Sequence, residues 1–118
     1  DNGDPIIKVA INRLNAKLMI DTQNYSDAKR IILKALEECP DNILYLVDLS
    51  AIERIVDSDL IASETLQKAV ESVSDNTTKM ELQTLADELY RNSKYTQAAP
   101  IYEKLSEHGT MVISVWLY

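Results

Sequence analysis

Residues 24–42 read Asn24-Tyr25-Ser26-Asp27-Ala28-Lys29-Arg30-Ile31-Ile32-Leu33-Lys34-Ala35-Leu36-Glu37-Glu38-Cys39-Pro40-Asp41-Asn42. Ala28, Ile31, Ile32, Ala35 and Leu36 recur at three and four, which gives one apolar stripe along a helix from about Tyr25 to Glu38. Pro40 closes it, because the residue before a proline is driven out of the helical region. The small residues Ala28 and Ala35 lie seven apart on that stripe and let a neighbouring backbone approach. A turn, an amphipathic helix and a Pro-Asp-Asn stop together form the second half of a helical hairpin.

The first half lies upstream. Asp4 is placed to cap free amides and Pro5 holds the φ of a first helical residue. Ile7, Ile11, Leu14 and Leu18, with Ala10, Ala16 and Met19 alongside, predict a helix to about Asp21 with that stripe inward. Thr22-Gln23-Asn24 turns the chain. Residues 1–4 are expected to be disordered.

Downstream the pattern continues. Asp41 or Asn42 caps a third helix from Ile43 to Val56, apolar on more than one side, with Leu46, Leu49, Ala51 and Ile52 inward. Asp48, Glu53 and Arg54 are expected to meet water or a ligand. Asp57-Ser58 supplies a turn and cap before Leu60 to Val73, whose buried stripe is Ala62, Leu66, Ala69 and Val70. Thr78-Lys79-Met80-Glu81 fits a capping box opening a fifth helix with Leu82, Leu85, Ala86 and Leu89 as its core face. Asn92-Ser93-Lys94 leads to a sixth, Tyr95 to about Glu107, carrying Ala98, Ile101, Tyr102 and Leu105. Pro100 falls beyond its first turn and is expected to kink it mildly. His108-Gly109 makes a helix end.

The small residue that opens each second helix falls at Ala28, Ala62 and Ala98, separations of 34 and 36. Ala35, Ala69 and Leu105 correspond in the same register, as do Ile32, Leu66 and Tyr102. Self-similarity at that period is the signature of stacked helical hairpins, and three units are the minimum for a stable stack. The units are residues 9–42, 43–76 and 79–110, in one domain over 5–118. Met111 to Tyr118 starts a further, truncated repeat, and its apolar character predicts self-association through that segment.

These residues resemble tetratricopeptide repeats, with departures at Asp59, where the turn tyrosine of the other units stands, and at Ser74, where a closing proline is expected. The third unit is also similar to half-a-tetratricopeptide repeats of RNA-processing scaffolds and faintly to pentatricopeptide repeats. The resemblance implies an all-α, right-handed superhelix of helical hairpins, an α-solenoid whose first helices line a concave groove. It places groove positions at Arg13 and Lys17, at Val47, Ala51 and Arg54, and at Gln83, Asp87 and Tyr90. The function it implies is a noncatalytic scaffold within a larger protein that binds a peptide or partner protein carrying acidic groups. The alternatives are a half-repeat scaffold of an RNA-processing complex, or the binding module of an enzyme whose catalytic domain lies elsewhere. The carboxylate clamp known in the family is not expected, since its places hold Asp48, Met80 and Thr84.

Composition fits this reading. The 118 residues are 46% hydrophobic with only two glycines and three prolines, the balance of a folded helical chain. A net charge of −7 disfavours a nonspecific polyanion surface, so no direct nucleic-acid binding is expected. No apolar run is long enough to span a membrane. A single cysteine excludes an internal disulfide, and a cytoplasmic setting is the default. Cys39 is expected to be a small core residue and His108 a helix-end residue. No CxxC, HExxH, GxSxG or phosphate-loop pattern occurs, so neither enzyme chemistry nor a cofactor or metal is expected. Asp57-Ser58-Asp59 lacks the glycine and distal glutamate of a calcium loop. Tyr95 and Tyr102 are expected to pack between repeats, leaving Tyr90 toward the groove.

Overall fold

A computed structural model describes residues 5–107. The Asp4 cap, the N-terminal residues 1–4, the helix end at His108-Gly109 and the apolar segment 111–118 lie outside the described residues. Six α-helices follow one another, α1 (Pro5–Asp21), α2 (Tyr25–Glu38), α3 (Ile43–Val56), α4 (Asp59–Glu71), α5 (Lys79–Arg91) and α6 (Tyr95–Glu107). No strand occurs among the described residues.

Local chemistry sets the starts. Asn42, Ser58 and Thr78 each accept a backbone N–H with the side chain, from Tyr45, Ile61 and Glu81. At α5 the Thr78 N–H donates in turn to the Glu81 carboxylate, completing the capping box. In the loop before it, the Thr77 hydroxyl accepts the Ser74 N–H at 2.8 Å and is itself buried.

The turns inside the first and third hairpins are alike. Gln23 and Ser93 both sit at positive φ, 65° and 62°. Asn24 N–H reaches the Met19 carbonyl and Lys94 N–H the Leu89 carbonyl, so both turns close the preceding helix the same way. The second hairpin differs, since Asp57 there has φ −114° and Ser58 takes up the capping.

Consecutive helices pack as pairs, α1 on α2, α3 on α4 and α5 on α6, and the first helices touch in series, α1 to α3 to α5. The central helix α3 belongs to two cores. Its residues Tyr45, Leu49 and Ile52 pack with Ala16, Ala28, Ile32 and Ala35. Its residues Ile43, Leu46 and Val47 pack with Leu66, Leu82, Leu85 and Leu105 of the later helices. That two-sided burial is why α3 has no single apolar stripe. Small residues again mark the close contacts: Ala16, Ser50 and Ala86 are all buried at separations of 34 and 36. The Ser50 hydroxyl donates to the Ala62 carbonyl at 2.8 Å, which ties α3 to α4.

Several expectations are corrected. Ile7, Ile11, Leu14 and Leu18 do not face the core; they are 50–57% exposed. α1 instead turns Ala16 inward, with Val9, Met19 and Ile20 partly covered. Two polar contacts hold that rotation: Asn12 Nδ2 donates to Tyr45 Oη at 3.0 Å, and Arg13 is bound to Asp48. Glu53 is buried rather than solvated, because Thr65 Oγ1 donates to its carboxylate at 2.5 Å. Cys39 is exposed at the α2 C-cap, one residue beyond the last helical turn and outside the packed stripe. Tyr95 is 56% exposed and meets Tyr90 edge to face instead of packing between hairpins. α4 runs one residue earlier at its start and ends at Glu71, where Ser72 caps it.

Candidate functional site

α1 and α3 enclose a cleft of about 410 Å³ lined by Arg13, Leu14, Ala16, Lys17, Ile20, Asp48 and Ala51. The α1 contribution lies along one helical face, since 13, 16, 17 and 20 are spaced three and four apart. Asp48 and Ala51 are neighbours by the same rule on α3.

Arg13 and Asp48 form one wall. Arg13 Nε donates to Asp48 Oδ2 at 2.7 Å and Nη2 to Oδ1 at 3.2 Å, a two-point pairing. Burial pushes the Asp48 carboxyl above the ordinary aspartate range, opposed by Arg13 and aided by the nearby charge of Glu88. The Arg13 guanidinium is therefore committed to a desolvated partner within the chain. Lys17 is different: it is exposed and forms no ion pair among the described residues. Around it Leu14, Ala16, Ile20 and Ala51 supply apolar surface. The chemistry available is a shallow apolar seat beside one exposed ammonium, whose charge also acts on Asp48.

The groove positions taken from the resemblance are only partly brought together. Arg13, Lys17 and Ala51 line the cleft. Val47 is 4% exposed and lies in the second core, so it presents no groove surface. Arg54 turns toward α4, with Nη1 3.2 Å from Asp59 Oδ1 and Nη2 donating to Ser50 Oγ at 3.4 Å. Its Nε is buried without a hydrogen-bond partner. Asp87 is bound to α6 and Gln83 to Asp87: Tyr102 Oη and Gln83 Nε2 both donate to Asp87 Oδ1, at 2.7 and 2.8 Å. Burial and that donation to Asp87 hold the Tyr102 hydroxyl protonated well above the ordinary phenol range. Tyr90 is half-exposed beside Tyr95, with ring centroids 5.2 Å apart.

Leu14, Ala16 and Ile20 enter the cleft although they are not among the expected groove positions, and Asp48, expected to meet water or a ligand, lines it with its carboxylate held by Arg13. The spacing of Arg13, Ala16, Lys17 and Ile20 carries a usable signal for the α1 wall, but the inward rotation of α1 decides whether it counts. For Asp48 the sequence holds no pairing signal, since its partner lies 35 residues away.

Among the described residues no group of three or more His, Cys, Asp or Glu side chains is arranged to hold a metal ion. No helix there is long and apolar enough to cross a membrane. No protein-family model matches this sequence, and no curated protein matches it.

Proposed function

We propose that this chain is a noncatalytic protein-interaction module, a tetratricopeptide-like solenoid of right-handed twist that holds a partner segment in the α1–α3 cleft. The observation that carries the reading is Lys17, an exposed ammonium without an ion-pair partner among the described residues, beside the apolar lining of Leu14, Ile20 and Ala51. Such a seat takes an aliphatic side chain with a carboxylate close by, the charge steering approach and the desolvated contact slowing release. The surface is preformed by α1 and α3, which confines ordering costs to the ligand. The partner is accordingly a peptide or protein segment with acidic groups.

A displayed peptide library panned against the chain tests this. Enrichment of Asp or Glu next to Leu, Ile or Val is expected, with loss of that enrichment for Lys17→Glu and loss of all binding for Ala51→Trp, which fills the cleft. Both variants are expected to keep their helical circular dichroism. Enrichment unchanged by either substitution would move the ligand off this cleft. Tight binding of single-stranded RNA with a steep salt dependence would replace the reading with an RNA-processing one.

A further inference from the structure

We propose that α1 docks a second helix along Ile7, Ile11, Leu14 and Leu18, and that the occupant is an amphipathic helix with aliphatic residues at the same spacing flanked by acidic side chains. The inference does not rest on the cleft ligand, with which it shares Leu14 and Lys17.

Ile7, Ile11, Leu14 and Leu18 are separated by four, three and four, the seam of paired helices. From Ile7 to Leu18 the seam runs about 16 Å along the axis. All four are at least half exposed, and no described element covers them.

Ile11 and Leu18 lie 34 residues before Tyr45 and Ile52, the same separation as Ala28 to Ala62. Tyr45 and Ile52 are buried against α1 and α2. The corresponding surface on the next first helix is thus covered by helices, and α1 presents it uncovered.

α1 carries Lys8, Arg13 and Lys17 against Asp21 alone, and of the three Arg13 is already paired with Asp48. Lys8 and Lys17 flank the seam; Lys8 is shared with the exposed Glu38 at 2.8 Å and Lys17 has no described ion-pair partner. Two copies pairing through α1 would bring these ammonium groups together, which costs stability at flanking positions of paired helices. An anionic membrane meets a chain of net charge −7. An acidic helix satisfies both seam and flanks.

The test uses the full chain and two labelled helical probes of about 21 residues, three heptads with Leu at both seam positions and either Glu or Lys at the flanks. The Glu probe is expected to bind at least about ten-fold more tightly than the Lys probe, and the double substitution Ile11→Asp, Leu18→Asp to weaken it by about ten-fold or more. Lys8→Glu with Lys17→Glu is expected to reverse the preference between probes, a readout that a folding defect would not give. Equal binding by the wild type and the seam variant, or no binding of the Glu probe, overturns the proposal. A concentration-dependent dimer lost in the seam variant assigns the face to a second copy instead. Capture by phosphatidylglycerol vesicles without probe binding assigns it to a membrane surface. Failure of the library selection leaves the result for the Ile11 and Leu18 variant standing, since neither of these residues lines the cleft.

Discussion

Arg13 on α1 and Asp48 on α3, 35 residues apart, meet through two hydrogen bonds of 2.7 and 3.2 Å, with side chains that keep only 29% and 22% of their exposure. The pair fixes how α1 rotates on α3 and therefore which of its residues reach the cleft. Removing Arg13 leaves a desolvated carboxylate without its partner. Arg13→Ala is expected to lower unfolding free energy by about 1–3 kcal/mol, less than for a fully buried pair because water still reaches both groups. Urea denaturation measures it. Replacing both residues by Met and Leu is expected to recover most of the loss, and a double variant no better than Arg13→Ala would show that the pair does not set the packing.

Asp48 and Glu53 share a direction of titration. Burial raises both carboxyls above their usual ranges, although Arg13 and Thr65 oppose it. A group that binds its proton more tightly when folded adds stability as pH falls through its raised folded value, and the gain is complete below the unfolded value. The neutral isostere Glu53→Gln keeps an acceptor for Thr65 and is expected to melt above the wild type at neutral pH. That advantage should shrink steadily on acidification toward the ordinary glutamate range. A difference in melting temperature independent of pH would assign the effect to packing.

Much of the fold is legible in the residues themselves. Pro40, the Thr78–Glu81 box and the Ala28, Ala62 and Ala98 register mark helix ends and hairpins through local geometry, and the structure follows them. The rotation of α1 is not legible in the same way. That helix has apolar residues on two faces, Ile7-Ile11-Leu14-Leu18 and Val9-Ala16-Ile20, and periodicity alone does not choose between them. The choice is made by Asn12 and Arg13, polar residues whose partners Tyr45 and Asp48 are distant in sequence. Of the cleft, Arg13, Lys17 and Ala51 were readable; Val47, Gln83 and Asp87 were not separable from it, because neighbouring helices decide where they point.

Gln23 and Ser93 hold the left-handed region without being glycine, at φ 65° and 62°. Each carries a Cβ in a region where glycine has no such penalty, partly offset by the greater chain entropy of glycine. Ser93→Gly is therefore expected to stabilise by about 0.5–1 kcal/mol, and Gln23→Gly likewise, the two effects adding because the turns belong to different hairpins. Asp57→Gly, at the corresponding turn of the second hairpin, is expected to give no such gain, since its φ is −114°. Chemical denaturation of the three single variants separates a turn effect from a general response to glycine.

Leu18 and Leu66 are the same residue in opposite settings, 50% exposed on α1 and 1% exposed in the core of α4. Leu66 packs in the cluster shared by α3, α5 and α6, so Leu66→Ala removes buried surface and leaves a cavity that these helices close only partly. A loss of about 2–5 kcal/mol is expected. Leu18→Ala removes surface that is already half in water and leaves no cavity, so a loss of no more than about 0.5 kcal/mol is expected in the isolated chain. Alanine also favours the helix slightly over leucine, which reduces the loss further. Measured by urea denaturation on the full chain, comparable losses at the two positions would show that the α1 stripe is covered in solution and that the rotation set by Arg13 and Asp48 is not the one that persists there. A large loss at Leu66 alone keeps Ile7, Ile11, Leu14 and Leu18 at the surface, where a docking helix can reach them.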